Sequence, residues 1–427
     1  MKKLAVLMVV AAFGLLSACA PRQDEGEIVL RLANWGGASE ENDFERTVND
    51  LYRQFERENP GIKIKIERIP GSQEYVNKML LSFVAGTEPD IMALDASSAA
   101  VFINNGVLMD LKPLFKKDSE FNIEDYWPNV LGIAARGEKV FAIPGDFTPM
   151  VMYYNKRLFR ESAVPFPKPG WTYGEFIATA EKLTKRNQFG FTFGNWMPGW
   201  IMWLWNDGGD VLDPSGTSAG GYVDGARSKR ALEFIRDFVN VRKISPSLSS
   251  TAATGVDLFT NANAAMQISG HWAMVGYQSA PKDSKGLPKL VMEDVGIVEL
   301  PSNLPQSVTV MYEVGFAIGK NCRHPEAAWK LVRFLTSRRF QSVYNSTGIA
   351  ICARKDVAEE RARTNALEAE FLRIVPSARA PWGSKVEGYD FVESTGQKMM
   401  DNILGDMPVD QAAREAAERI DRYFKIK

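Results

Sequence analysis

Histidine and cysteine are scarce in this chain, with two of the first and three of the second among 427 residues. His271 and His324 are not spaced from each other or from a cysteine as metal ligands are, so no metal centre is expected. An excess of one charge is lacking too. Lys+Arg number 51 and Asp+Glu 52, a net charge of −1, which gives no general drive toward nucleic acid or an anionic membrane. Catalytic signatures are missing as well, with no Gly-x-Ser-x-Gly and no Walker A pattern. No cofactor is expected. Carboxylates are plentiful, so a glycosidase-type pair stays open. Internal repeats and low-complexity tracts are also absent.

The apolar run Leu4–Leu16 is too short to span a bilayer comfortably. It follows Lys2 and Lys3 and precedes small residues, the order of a secretory signal. Leu16-Ser17-Ala18-Cys19 resembles a bacterial lipobox, which implies acylation at Cys19 and a membrane anchor. Residues 1–19 are thus read as lipoprotein signal and 20–27 as a polar tether. Beyond them, 45% hydrophobic and 24% charged residues suit a soluble globular protein, and the length suits two or three domains. Cys322 follows a strand and Cys352 lies beyond two helical stretches, so two buried thiols are expected rather than a disulfide.

Hydrophobic periodicity gives an α/β chain. Ile28–Ala33 reads as a strand, 43–58 as a helix, and the alternation of Ile62, Ile64 and Ile66 with charged residues as a second strand. A helix over 73–85, a strand over 89–94 and a helix over 97–104 complete the unit. Short links between strand and helix imply parallel strands, with ligands beyond their carboxyl ends. Those ends carry Asn34–Gly37, the 69–73 loop and Asp95. Next come strands at 140–143 and 150–154, with Pro144-Gly145 between them as a place to turn or flex. Further on, Thr172-x-x-Glu175 reads as a capping box, 189–193 as a strand, 196–206 as a strongly aromatic helix and 228–242 as a long helix.

Several of these stretches, in this order, resemble the sugar-binding group of bacterial extracellular solute-binding proteins that serve ABC importers, the maltose-binding-protein-like group. They are the strand–Pro–aromatic-strand ending Tyr154-Asn155-Lys156, the Pro-rich link before Trp171-Thr172, the segment ending Gly270-His271-Trp272, and Gly348–Val357. Two departures stand out: Tyr312-Glu313-Val314-Gly315 lacks the Gly-Gly often found there, and 196–205 is unusually aromatic. The resemblance implies a two-lobed periplasmic-binding-protein fold, each lobe a mainly parallel sheet flanked by helices. Lobe 1 would comprise 28–143 and 306–347, and lobe 2 147–301 and 349–427, with hinges near 144–146, 302–305 and 348. It implies capture of a mono- or oligosaccharide by hinge closure and delivery to membrane permease subunits, by a monomer in the periplasm or at the cell surface. A phosphorylated polyol is the alternative ligand, and a surface glycan-processing enzyme the alternative function.

A pyranose offers an apolar face to aromatics and a rim of hydroxyls to polar groups. Trp35, Gly36 and Gly37 end a strand where backbone can approach a ligand. Trp196, Trp200 and Trp203 share one helical face; Trp203 and Trp205 are assigned to packing, Trp196 and Trp200 to the cleft. The resemblance marks Trp272 and Trp382 as cleft aromatics. Gln73, Asp95, Asp146, Asn195, Glu313 and Arg354 are the candidate polar groups, each with a structural alternative: Asp95 as a helix cap, Asp146 as a turn residue, the rest as structural hydrogen-bonders. Tyr153 and Tyr154 point to opposite strand faces and cannot chelate one metal side by side; one is expected in the core and one in the cleft.

Overall fold

The computed structural model describes residues 26–35, 43–247 and 257–426, with the side chains of residues 35, 43, 44, 72 and 73 outside the description. The signal segment with Cys19, most of the tether, Gly36 and Gly37 lie outside the described residues. Among those described, no helix is long and apolar enough to cross a membrane.

The strands are β1 (Ile28–Trp35), β2 (Ile62–Ile69), β3 (Ile91–Asp95), a small hairpin of β4 (Ala135–Arg136) and β5 (Lys139–Val140), β6 (Ala142–Pro149), β7 (Val151–Asn155), β8 (Met266–Ser269), β9 (Val295–Val298), β10 (Thr309–Ile318), β11 (Ile351–Cys352) and β12 (Ala378–Arg379). They form two main sheets. The first runs β11-β6-β10-β3-β1-β2, with β12 paired to β10. Its β2-β1-β3 portion is parallel, as strand–helix–strand alternation requires. The second sheet is β8-β7-β9. The α/β two-lobed architecture stands, but strand directions depart from a mainly parallel plan. β10 runs antiparallel to β3 and β6, and β6 to β11, while β12 pairs parallel with β10; every pair in the second sheet is antiparallel.

Helix Asp43–Glu58 lays Val48, Leu51 and Phe55 against the first sheet, spaced for one helical face. Phe55 meets Phe334 of helix Pro325–Leu335 with ring centroids 5.3 Å apart. The other face is covered by Tyr75, Met79 and Phe102 from helices Ser72–Ala85 and Ala99–Asn104. In the second sheet β7 is buried on both faces. Met152 and Tyr154 pack toward helices Tyr173–Leu183 and Met197–Trp205, while Val151 and Tyr153 pack toward Tyr277 and Phe371. Both tyrosines are therefore core, and neither faces the cleft. The Thr172 capping box forms, with Glu175 N donating to Thr172 Oγ1 at 3.2 Å and Thr172 N to Glu175 Oε2 at 2.7 Å.

Pro144-Gly145 does not turn the chain. Both residues sit inside β6, where Gly145 is the extra residue of a bulge opposite Val314 and Gly315. A Cβ on Gly145 would lie 2.8 Å from the Phe316 ring, so glycine lets β10 approach. The passage between sheets comes later, at Met150, whose N–H donates to Val310 O at 2.9 Å. Residues 189–193 form only two isolated bridges, from Phe189 and Thr192. Gly190 there is pressed against Ala180 of the neighbouring helix, which holds the segment off a regular ladder. The expected 228–242 helix is Ala226–Arg236 followed by a π-helical turn, Asp237–Val241. Cys322 and Cys352 are free thiols; Cys352 is buried, Cys322 only half-buried beside Asp90.

Candidate functional site

A cavity of about 830 Å³ opens between the two sheets. The carboxyl ends of the parallel strands supply one wall, with Asn34 from β1, Arg68 from β2 and Asp95 from β3. Asp146 and Thr148 of β6 and Tyr312 of β10 form the floor, where those strands leave the first sheet. The opposite wall carries Trp196, Trp272, and Tyr389, Asp390 and Glu393 from the first turns of helix Tyr389–Leu404.

Three aromatic rings converge here. Trp196, Trp272 and Tyr312 lie pairwise with centroids 6.3 Å apart. Trp196 is 46% exposed and Trp272 37%, although both side chains are large and apolar. Local sequence sets their pose. Trp272 folds back over Gly270, where a Cβ would sit 2.2 Å from the indole, so the Gly-x-Trp spacing is a packing requirement. Trp196 precedes helix Met197–Trp205 in an extended conformation, which lifts its ring clear of the helix face.

The polar groups are mainly carboxyls. Asp146 is 8% exposed, and burial pushes its carboxyl up to about 7, with Asp95 adding to the rise and a Tyr344 hydrogen bond opposing it. Asp95 is raised by burial while it accepts from Ser97 N at 2.8 Å and from the Ser97 hydroxyl. It holds the turn before helix Ala99–Asn104, whose N-cap is Ser98. Burial also pushes Glu393 up to about 7, with Asp95 and Asp390 contributing. Asp95 and Glu393 stand on opposite walls, so their mutual repulsion acts across the cleft.

The structure moves several expected site residues away. Trp200 is fully buried, and its indole N–H donates to Asn195 at 3.1 Å. Asn195 in turn donates to Gln397 O at 2.9 Å and Asp401 at 2.6 Å, tying two helices together. Arg354 pairs with Asp125 at 2.9 Å and Asp356 at 3.1 Å and lies over the Tyr126 ring, outside the cavity. Trp382 donates to Asp210 at 2.9 Å and packs on the second core; only its neighbour Gly383 reaches the cavity wall. Glu313 is buried behind the floor, and neither carboxyl oxygen has a hydrogen-bond partner. Strand alternation sends its neighbours Tyr312 and Val314 into the cavity instead. Trp35 and Gln73 occupy the expected strand end and helix start, but their side chains lie outside the description. Of the expected residues, Asp95, Asp146, Trp196 and Trp272 line the cavity together.

Sequence reasoning missed Tyr312, Tyr344, Tyr389 and Glu393. The pattern Tyr389-Asp390-x-x-Glu393 marks one face of a helical turn, but nothing local tells which wall that face meets. His271 is structural: it is buried, with Nδ1 2.9 Å from Gly348 O and Nε2 3.1 Å from Glu368. No group of three or more His, Cys, Asp or Glu among the described residues is arranged to hold a metal ion.

Comparison with known proteins agrees with this architecture. A multiple sugar-binding protein of Streptococcus mutans is 22% identical over 392 residues, 84% of each chain. Among solved structures, a Listeria monocytogenes ABC substrate-binding protein in complex with cycloalternan superposes with a TM-score of 0.80 at 20% identity, covering 94% of this chain and 100% of that one. A Thermotoga lettingae solute-binding protein bound to α-D-tagatose gives 0.78 at 20% identity, covering 93% and 100%. The family model described as bacterial extracellular solute-binding protein matches residues 38–342, and with that match the chain belongs to the bacterial extracellular solute-binding proteins.

Proposed function

We propose that this protein is the extracytoplasmic receptor of an ABC importer, which captures a mono- or oligosaccharide between its lobes and delivers it to a membrane permease. The observation that carries this reading is the aromatic trio of exposed Trp196 and Trp272 with half-buried Tyr312, facing carboxyls across one cavity. Flat rings cover the apolar face of a pyranose, and carboxylates accept from its hydroxyls. The cavity volume, about 830 Å³, is in the range of pockets that enclose small ligands. Walls on opposite lobes suit closure about the connecting strands, with Met150 and the 302–305 and 348 segments as the places that flex. The sugar-binding names of the relatives support the same ligand class. Acylation at Cys19 would keep the receptor at the membrane as a monomer. No chemistry on the ligand is part of this reading.

A phosphorylated polyol is disfavoured. Among the described residues lining the cavity, the carboxyls Glu45, Asp95, Asp146, Glu387, Asp390 and Glu393 face a single cation, Arg68. Arg354, the one cation among the candidate polar groups, is paired elsewhere with Asp125 and Asp356.

The test is a thermal-shift screen across mono- and oligosaccharides, with product analysis on the same samples. A raised melting temperature with intact sugar supports a receptor. Shortened oligosaccharides would replace it by a glycan-processing enzyme, and no shift with any sugar would retire the saccharide ligand.

A further inference from the structure

The cavity gathers many carboxyls and a single cation, Arg68, among the described residues that line it. Asp95, Asp146 and Glu393 reach it from β3, β6 and helix Tyr389–Leu404, so both lobes contribute. Glu313 stands behind them, 2% exposed and with neither oxygen hydrogen-bonded. Among the described residues no Arg, Lys or His is hydrogen-bonded to or ion-paired with any of the four, and the charged groups that raise them are one another and Asp390. Arg68 hydrogen-bonds Asn49 instead, at 3.2 Å. Buried carboxylates without a counter-charge are costly, and a cationic ligand supplies what the protein lacks. A second feature points the same way without reference to the acids. The exposed rings of Trp196 and Trp272 and the half-buried ring of Tyr312 converge beside them, and aromatic faces attract cations as well as sugar C–H groups. The carboxyls do not gather as metal ligands, which favours an organic cation.

We propose that the ligand is a saccharide carrying a protonated amino group, its ammonium among Asp95, Asp146 and Glu393 and its ring against Trp196, Trp272 and Tyr312. This rests on the saccharide reading above and narrows it to basic sugars. Closure would bring carboxyls from both lobes onto one cation, so the ligand itself would offset their mutual repulsion.

The experiment is titration calorimetry at pH 7 with matched pairs that differ only in charge. They are glucosamine and glucose, galactosamine and galactose, mannosamine and mannose, and the β-1,4-linked glucosamine dimer and cellobiose. At least one amine should bind tenfold or more tightly than its hydroxyl partner. Its binding heat should vary with the buffer, because an ammonium expels protons from carboxyls that hold them near neutrality. Asp146→Asn with Glu393→Gln should bring that pair within about twofold. Glu393→Gln alone, at a cavity-facing and partly exposed position, should narrow the gap even where the double variant folds poorly. If every pair that binds favours the hydroxyl member or shows no preference, the cationic inference falls and the saccharide reading stands. If no member of any pair, charged or neutral, binds, the cationic inference falls, and the saccharide reading is decided by the broader thermal-shift screen.

Discussion

Replacing Asp146 by asparagine should stabilise the ligand-free protein at alkaline pH and do almost nothing at acid pH. Asp146 is 8% exposed and its carboxyl is pushed from an ordinary 3.8 up to about 7, chiefly by burial. A folded-state value above the unfolded one means that the folded chain binds the proton more tightly. Its contribution to stability is therefore complete below about pH 4 and is lost as pH rises toward 7. At about 1.36 kcal/mol per pH unit, the interval from 3.8 to about 7 corresponds to about 4 kcal/mol as an order of magnitude. Asparagine keeps the shape and removes the titration. Unfolding entropy near 2.1 cal/mol/K per residue gives roughly 0.8 kcal/mol/K for about 400 folded residues, so about 4 kcal/mol corresponds to about 5 °C if the lobes melt together. Differential scanning calorimetry of ligand-free wild type and Asp146→Asn at pH 4.5, 6 and 8 reads this directly. The melting temperatures should nearly coincide at pH 4.5, and the variant should melt about 5 °C higher at pH 8. A variant clearly less stable than wild type at pH 8 would refute the reasoning, because it would mean that Asp146 is charged and paired in the folded chain.

Trp272→Ala should weaken ligand binding by a factor of about ten to a hundred, from the loss of roughly 1–3 kcal/mol of stacking and burial, while the ligand-free melting temperature stays near wild type. A collapse in stability would move Trp272 into the core. Trp200→Ala should behave in the opposite way and cost about 3–5 kcal/mol in calorimetric or urea unfolding, since its side chain is fully buried in the second core; unchanged unfolding would contradict that packing. Arg354→Gln should leave the ligand Kd within about twofold in calorimetry, because the guanidinium is held by Asp125 and Asp356 outside the cavity. A tenfold loss would return it to the binding site. Cys19→Ala should release the protein from the membrane fraction on cell fractionation, and unchanged membrane association of correctly processed protein would end the lipoprotein reading.

Local rules carried much of the fold. Alternation of Ile62, Ile64 and Ile66, the 3.6-residue spacing of Val48, Leu51 and Phe55, and the Thr172 capping box each act within a few residues, so the chain itself determined those elements. Opposite burial of Tyr153 and Tyr154 follows from the same two-residue period. The family order of motifs and the placement of Asp95 and Asn34 at strand carboxyl ends were also legible, because parallel connectivity fixes which end of a sheet opens. Tertiary contacts decided the rest. Gly145 became a strand bulge rather than a turn because Phe316 packs across it, and Trp200 became core rather than platform because Asn195 and the second lobe close over its helix. Arg354 was claimed by Asp125, 229 positions away in the chain, as no local pattern could announce. The acidic character of the cleft is likewise invisible locally. Asp95, Asp146, Glu313 and Glu393 are far apart in sequence, and only folding brings them together, where burial rather than residue type sets their charge.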